Sequence, residues 1–188
     1  IHAAYEKGVA ALAGAEGVTT VARGAEAEGV NLAQSALFAT SGEQFRTNPA
    51  LSHEVFGSSS ILVKCATIEE VIATIAQMEG QLTATLQMDE SDNDNAAKLL
   101  PTLSRKVGRV LANGWPTGVE VTHAMVHGGP FPSTSDGRTT SVGTLAMMRF
   151  LRPVCYQDVV DAVLPPALQA ANPWKLNRRM EGKLELAQ

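Results

Sequence analysis

Glu54 and Phe56 stand two residues apart in "LSHEVFGSSSILVKC", residues 51–65, ahead of four small residues and an apolar run. Side chains alternate along an extended segment, so positions 54 and 56 face the same side. A carboxylate placed there can accept hydrogen bonds from the paired hydroxyls of a sugar while the ring packs a flat heterocycle. Gly57 lets backbone come close. The pattern points to a nucleotide-sugar contact. A surface acid and a core aromatic at a helix-to-strand junction would read the same way, and the spacing alone leaves both open.

The other residues able to do chemistry are less well placed. His123 and His127 are four apart in a strand-like run, and Glu120 or Asp136 would have to complete a metal site. No further ligand falls at a recognisable spacing, so no metal is expected, and His127 is read as lining a pocket beside Gly128-Gly129-Pro130. The acidic run 89–95 does not form a calcium loop: its sixth position is Asp94 and its twelfth Leu100, where glycine and glutamate are required. It is read as a solvated turn capping the next helix. Residues 127–144 lack the spacing of a phosphate-cradling loop, and Pro130 and Pro132 each remove a backbone donor. That segment suits a pocket wall. Cys65 and Cys155 have no partner that would activate a thiol, and are read as buried free thiols of a cytoplasmic protein.

The elements that must position these residues follow from periodicity. Ala4, Val9, Leu12 and Ala13 recur at helical spacing, with glycines at 14 and 17 ending the run. Strands are expected over 18–23, 36–40, 60–66, 82–88 and 109–114, with a turn over 24–30. Ser41 should cap a short polar helix over 42–51. Thr67 and Glu70 form a capping-box pair for a helix stopped by Gly80, and another helix is expected over 92–108. Residues 114–140 hold three prolines and five glycines and read as a long structured loop flanking a strand. A helix should return over 140–151, a strand near 152–157 and a short helix over 165–174. Alternating strands and helices with short connections predict an α/β fold, a mainly parallel sheet flanked by helices, in one domain or most of one.

Bulk properties exclude several classes. The chain has 188 residues, 45% hydrophobic and 18% charged, which is ordinary for a globular protein. A net charge of -4 with scattered basic residues argues against nucleic acid or an anionic membrane as partner. No apolar run is long enough to span a bilayer, and the first residues do not read as a basic-then-apolar leader. The chain starts at Ile1 in what reads as the middle of an uncapped helix, so it is expected to be a piece of something longer.

"HEVFG" (53–57) resembles the E-x-F-G-P motif of the aldehyde dehydrogenase superfamily, with Ser58 where the motif has proline. "GQLTATLQ" (80–87) stands in place of that family's tyrosine-glycine-leucine-threonine-alanine segment. Residues 108–157 are similar more narrowly to the α-ketoglutaric semialdehyde (2,5-dioxovalerate) dehydrogenases. The resemblance implies the later part of an aldehyde dehydrogenase catalytic domain over 1–188, with an oligomerisation-type strand near 152–157. It implies NAD or NADP as cofactor, an aldehyde substrate oxidised to the carboxylate through a cysteine thiohemiacetal, and a homo-oligomeric parent. Carried over by position, Glu54 would bind the nicotinamide-ribose hydroxyls and Phe56 would pack beside the nicotinamide. Phe131 and Ser133 would line the substrate funnel. The nucleophilic cysteine, the general-base glutamate and the cofactor domain would lie before residue 1, so no catalytic residue is assigned here and the chain alone is expected to be inactive. The competing reading is a non-catalytic α/β scaffold, an oligomerisation module or a small-molecule-binding module.

Overall fold

In the computed structural model, which describes residues 1–26 and 29–187, Tyr5, Val9 and Leu12 fall on one face of α1 (His2–Ala13) and are all buried. That face covers a strand, β2 (Ala36–Ser41), whose Phe38 is completely buried. Phe45 and Leu51 close the same cluster, with Val55, Ile61, Val63 and Met78 packed around it. Burying a phenylalanine fully is worth about 1.5–3 kcal/mol, so this cluster is what ties the opening helix to the sheet.

β2 pairs antiparallel with β1 (Thr19–Arg23) and parallel with β3 (Ser59–Lys64), in register from Ala36 opposite Ser59 to Ser41 opposite Lys64. The crossover between them carries α2 (Gly42–Thr47) and a 3-10 turn over Pro49–Ser52. Ser41 caps α2 as expected, its hydroxyl accepting the Gln44 N–H at 3.2 Å. After β3, α3 (Ile68–Gln77) leads to β4 (Gln81–Leu86), and α4 (Asn93–Lys106) leads to β5 (Val107–Ala112). β4 and β5 pair parallel, with Gln81 opposite Val107. The α/β reading with helix crossovers holds, but the ladders fall into separate short sheets, one of three strands and one of two.

Several local expectations are corrected. Gly80 does not stop α3: the helix ends at Gln77, and Met78 is already extended. Gly80 is needed for space instead, since a Cβ there would sit 2.6 Å from the Phe131 carbonyl oxygen. The capping box at Thr67 is half made. Thr67 accepts the Glu70 N–H at 3.2 Å, but the Glu70 carboxylate reaches one residue further back, to the Ala66 N–H at 2.7 Å. Residues 118–127 form no strand; their backbone is tied to Arg109 and to the 140–144 segment instead. The helix expected over 140–151 is only a 3-10 turn, Thr144–Phe150. Gly143 has φ +97° and lies against the Thr122 and Met125 carbonyls, and Thr140 uses its hydroxyl on His127 N–H and Val142 C=O rather than on a helix cap. Part of the expected 24–30 turn lies outside the described residues.

By its internal contacts the chain divides into two compact units, Ile1–Arg149 and Phe150–Gln188. In the second, residues 152–157 form no strand, because a strand needs a ladder partner and no described segment pairs with them. The short helix expected over 165–174 is a single 3-10 turn, Pro166–Leu168. A hairpin closes this unit, β6 (Arg178–Met180) with β7 (Lys183–Glu185). Glu181 and Gly182, at φ +48° and +78°, make the tight turn between them. Among the described residues no helix is long and apolar enough to cross a membrane.

Candidate functional site

The segment carrying Glu54 and Phe56 runs from the 3-10 turn to the start of β3 and has no regular structure of its own. α1 holds it. A Cβ on Gly8 would fall 2.8 Å from Val55 Cγ1, so the helix backbone rides directly on the valine between the two site residues. The Tyr5 ring packs on Gly57, and its hydroxyl donates to the carbonyls of Gln34 at 2.8 Å and Ser58 at 3.1 Å. With Val55 turned into the core, its neighbours Glu54 and Phe56 are turned outward, and both are exposed.

They line one hollow of about 560 Å³, within the range of roughly 300–1,000 Å³ common for small-molecule sites. Its apolar floor is Leu12, Phe45, Leu51, Ile61 and Met78. Ser59, Ser60, His53 and Gln81 add polar groups to its rim. The Glu54 carboxylate makes no hydrogen bond or ion pair to any described residue, and the Phe56 ring is 69% exposed. An uncommitted acceptor pair and a bare aromatic face beside an apolar floor fit a ribose diol and a planar heterocycle. The residues present therefore fit a nicotinamide nucleoside.

Ser133 and Phe131 are placed differently. Ser133 lines a second hollow of about 290 Å³, with His127, Asp136, Thr139, Ser141 and Arg149 among its walls. Its hydroxyl donates to the Pro130 carbonyl at 2.6 Å. Phe131 lines neither hollow and is 80% exposed. The two hollows lie against consecutive residues of β4, Gln81 for the first and Leu82 for the second, and consecutive strand residues face opposite sides. Asp136 is held below the ordinary carboxylate range by its hydrogen bonds from Arg138. His123 and His127 do not gather a metal site: among the described residues no group of three or more His, Cys, Asp or Glu is placed to hold one.

The Gly128-Gly129 pair serves close packing. A Cβ on Gly108 would overlap the Gly128 carbonyl, and one on Gly129 would overlap the Gln81 carbonyl. Residues 128–131 thus cross the start of the β4–β5 pair backbone to backbone. The thiols also correct the expectation of burial. Cys155 is exposed, and Cys65 is half-buried with its sulfur 3.8 Å from the Thr74 hydroxyl. Cys65 does not line the Glu54–Phe56 hollow.

Sequence reasoning missed Tyr5 and Gln81. Nothing in the spacing links position 5 to position 57, and Gln81 read only as a connecting residue between the expected helix and the strand over 82–88.

No protein-family model matches the chain. Two curated relatives do: α-ketoglutaric semialdehyde dehydrogenase 2 of Azospirillum brasilense, 51% identical over 97% of this chain and 35% of its own length, and α-ketoglutaric semialdehyde dehydrogenase of Acinetobacter baylyi, 48% identical over 96% and 34%. Solved structures with the same fold include apo betaine aldehyde dehydrogenase of Staphylococcus aureus, with TM-score 0.59 at 17% identity over 80% of this chain and 29% of that one. Another is the Δ-pyrroline-5-carboxylate dehydrogenase of Mycobacterium tuberculosis bound with NAD, with TM-score 0.59 at 19% identity over 88% and 31%. Over nearly its whole length the chain is similar in sequence to curated α-ketoglutaric semialdehyde dehydrogenases, of whose length it spans about a third, and it shares the fold of the corresponding part of solved aldehyde dehydrogenases.

Proposed function

We propose that this chain is the later part of the catalytic domain of a cytoplasmic, homo-oligomeric aldehyde dehydrogenase that oxidises α-ketoglutaric semialdehyde to its dicarboxylate. The reaction consumes one water and one NAD or NADP per aldehyde. The observation that carries the reading is the hollow in which the uncommitted Glu54 carboxylate and the bare Phe56 ring sit together over an apolar floor. Similarity to curated α-ketoglutaric semialdehyde dehydrogenases over almost the whole chain supports the substrate class.

In this reading the dinucleotide, when bound, supplies the two-electron acceptor. The chain's own contribution is binding and orientation. Glu54 accepts hydrogen bonds from the two ribose hydroxyls, and Phe56 limits the tilt of the nicotinamide ring. The attacking thiolate and the base that activates water come from polypeptide outside these 188 residues. Cys65 lines a hollow other than the nucleotide hollow, and neither thiol is assigned the attacking role. Both are unpaired, which suits a reducing compartment. Residues 152–157, without a ladder partner among the described residues, are where a strand from a second subunit would add.

The test is a nucleotide titration and an aldehyde oxidation assay on the complete dehydrogenase polypeptide. Saturable NAD or NADP binding, with reduction that depends on α-ketoglutaric semialdehyde, is the expected result. A polypeptide that binds neither nucleotide would overturn the proposal.

A further inference from the structure

Gln81 is the one side-chain amide lining the Glu54–Phe56 hollow, with an NH₂ donor and a carbonyl acceptor on the same carbon. Its backbone is fixed from two sides. On one it opens β4 in register with Val107 of β5. On the other its carbonyl lies beneath Gly129, where even a methyl group would overlap it. The side chain is nevertheless exposed and nearly uncommitted. Its amide nitrogen reaches only the Glu79 carbonyl, at 3.5 Å, the long limit of a hydrogen bond. A group projected from a clamped strand end, with its hydrogen-bonding capacity unspent, is positioned for a ligand rather than for the fold.

Glu54 and Phe56 divide part of the ligand between them. The carboxylate suits hydroxyls and the ring suits a heterocycle face, which leaves the heterocycle's substituent. A carboxamide carries a carbonyl acceptor and an NH₂ donor side by side, the complement of a glutamine amide. We propose that Gln81 binds the carboxamide of the nicotinamide, with Nε2 donating to its carbonyl oxygen and Oε1 accepting from its NH₂. Gln81 is then a specificity-determining residue of the nucleotide site. This rests on the nucleotide reading of the hollow and adds to it the residue that distinguishes a carboxamide-bearing ring from its analogues.

The experiment compares equilibrium binding of NAD(P)+ and of the corresponding 3-acetylpyridine dinucleotide, in which methyl replaces NH₂. Titrations use the complete dehydrogenase polypeptide, unaltered and as Gln81→Leu, with thermal unfolding to verify that the variant is folded. Two lost hydrogen bonds should weaken NAD(P)+ binding about tenfold to thirtyfold, and one lost bond should weaken the acetylpyridine analogue only about fivefold. The unaltered protein's preference for the carboxamide should therefore collapse in the variant. A second variant, Gln81→Glu, keeps acceptors but no amide donor and should retain part of that preference. If Gln81→Leu is folded and binds both nucleotides as the unaltered protein does, the inference is wrong while the dehydrogenase reading stands. Equal weakening of both nucleotides would also overturn it, because Gln81 would then only shape the hollow. An unaltered protein that binds neither nucleotide would remove the dehydrogenase reading and this inference together.

Discussion

The Tyr5 ring lies so close to Gly57 that a Cβ on the glycine would fall 2.6 Å from Cε2 of the ring, while the Tyr5 hydroxyl holds the next carbonyl, Ser58, at 3.1 Å. One residue of the opening helix thus presses on the turn and tethers it. Gly57 also has φ +155°, a conformation that side chains resist. The direction in which Glu54 and Phe56 leave the backbone depends on this contact. Gly57→Ala should destabilise the protein by about 1–3 kcal/mol through overpacking, seen as a lower midpoint in urea unfolding. Tyr5→Phe, which keeps the ring and loses both hydroxyl bonds, should cost about 1–3 kcal/mol. A Gly57→Ala protein as stable as the original would contradict the described packing.

Glu54 should matter for binding and not for folding. It is exposed and makes no hydrogen bond within the described residues, so Glu54→Gln should change unfolding free energy by less than about 0.5 kcal/mol. In the complete dehydrogenase the same change should weaken nucleotide binding about tenfold, since two hydrogen bonds to a charged acceptor become weaker neutral ones. Calorimetric titration measures the second effect and chemical denaturation the first.

A polar lock joins α2 to α3. Both terminal nitrogens of Arg46 donate to Glu70 Oε1 at 3.2 Å, and one also reaches the Thr74 hydroxyl at 3.0 Å. Glu70's carboxyl is held below its ordinary value first by the Ala66 N–H and then by Arg46. A carboxyl with a lowered folded-state pKa adds stability above its unfolded pKa, near 4.5, and loses that contribution as pH falls through the folded value. Stability should therefore decline below about pH 4.5 more steeply in the native protein than in Glu70→Gln. Unfolding midpoints between pH 3 and 7 would decide it: parallel curves would show that the lock contributes nothing.

Phe38 is completely buried at the centre of the cluster that joins α1, α2 and β2. Phe38→Ala should cost about 3–5 kcal/mol, enough to unfold much of the first unit, and Phe38→Leu clearly less. Thermal unfolding of the two variants gives the comparison.

The thiols should differ in reactivity. Cys155 is exposed and Cys65 half-buried against Thr74, so a thiol reagent should modify Cys155 first in the native protein, with equal rates only after denaturation. Peptide mapping after a short alkylation reads the order directly.

Local chemistry was legible from residue order because its causes are local. Ser41 and Thr67 cap the helices they precede and apolar periodicity marks the buried face of α1, whereas the acidic run caps a 3-10 turn over Glu90–Asp92 and leaves α4 without a side-chain cap. The outward pairing of Glu54 and Phe56 was also legible, since alternation about Val55 needs only a neighbour that prefers the core. The tertiary structure decided the rest. Gly80 looked like a helix stop, but its conformation is ordinary and its role is to admit a carbonyl from fifty residues later. Residues 140–151 carried a helical pattern, yet their hydroxyls and amides were taken by the 122–127 segment, and the helix did not form. The hold of Tyr5 on Gly57 and the presence of Gln81 in the same hollow arise from contacts between segments far apart in sequence. Periodicity reports only what each segment prefers by itself; which backbones approach closely enough to exclude a methyl group is fixed when the segments pack.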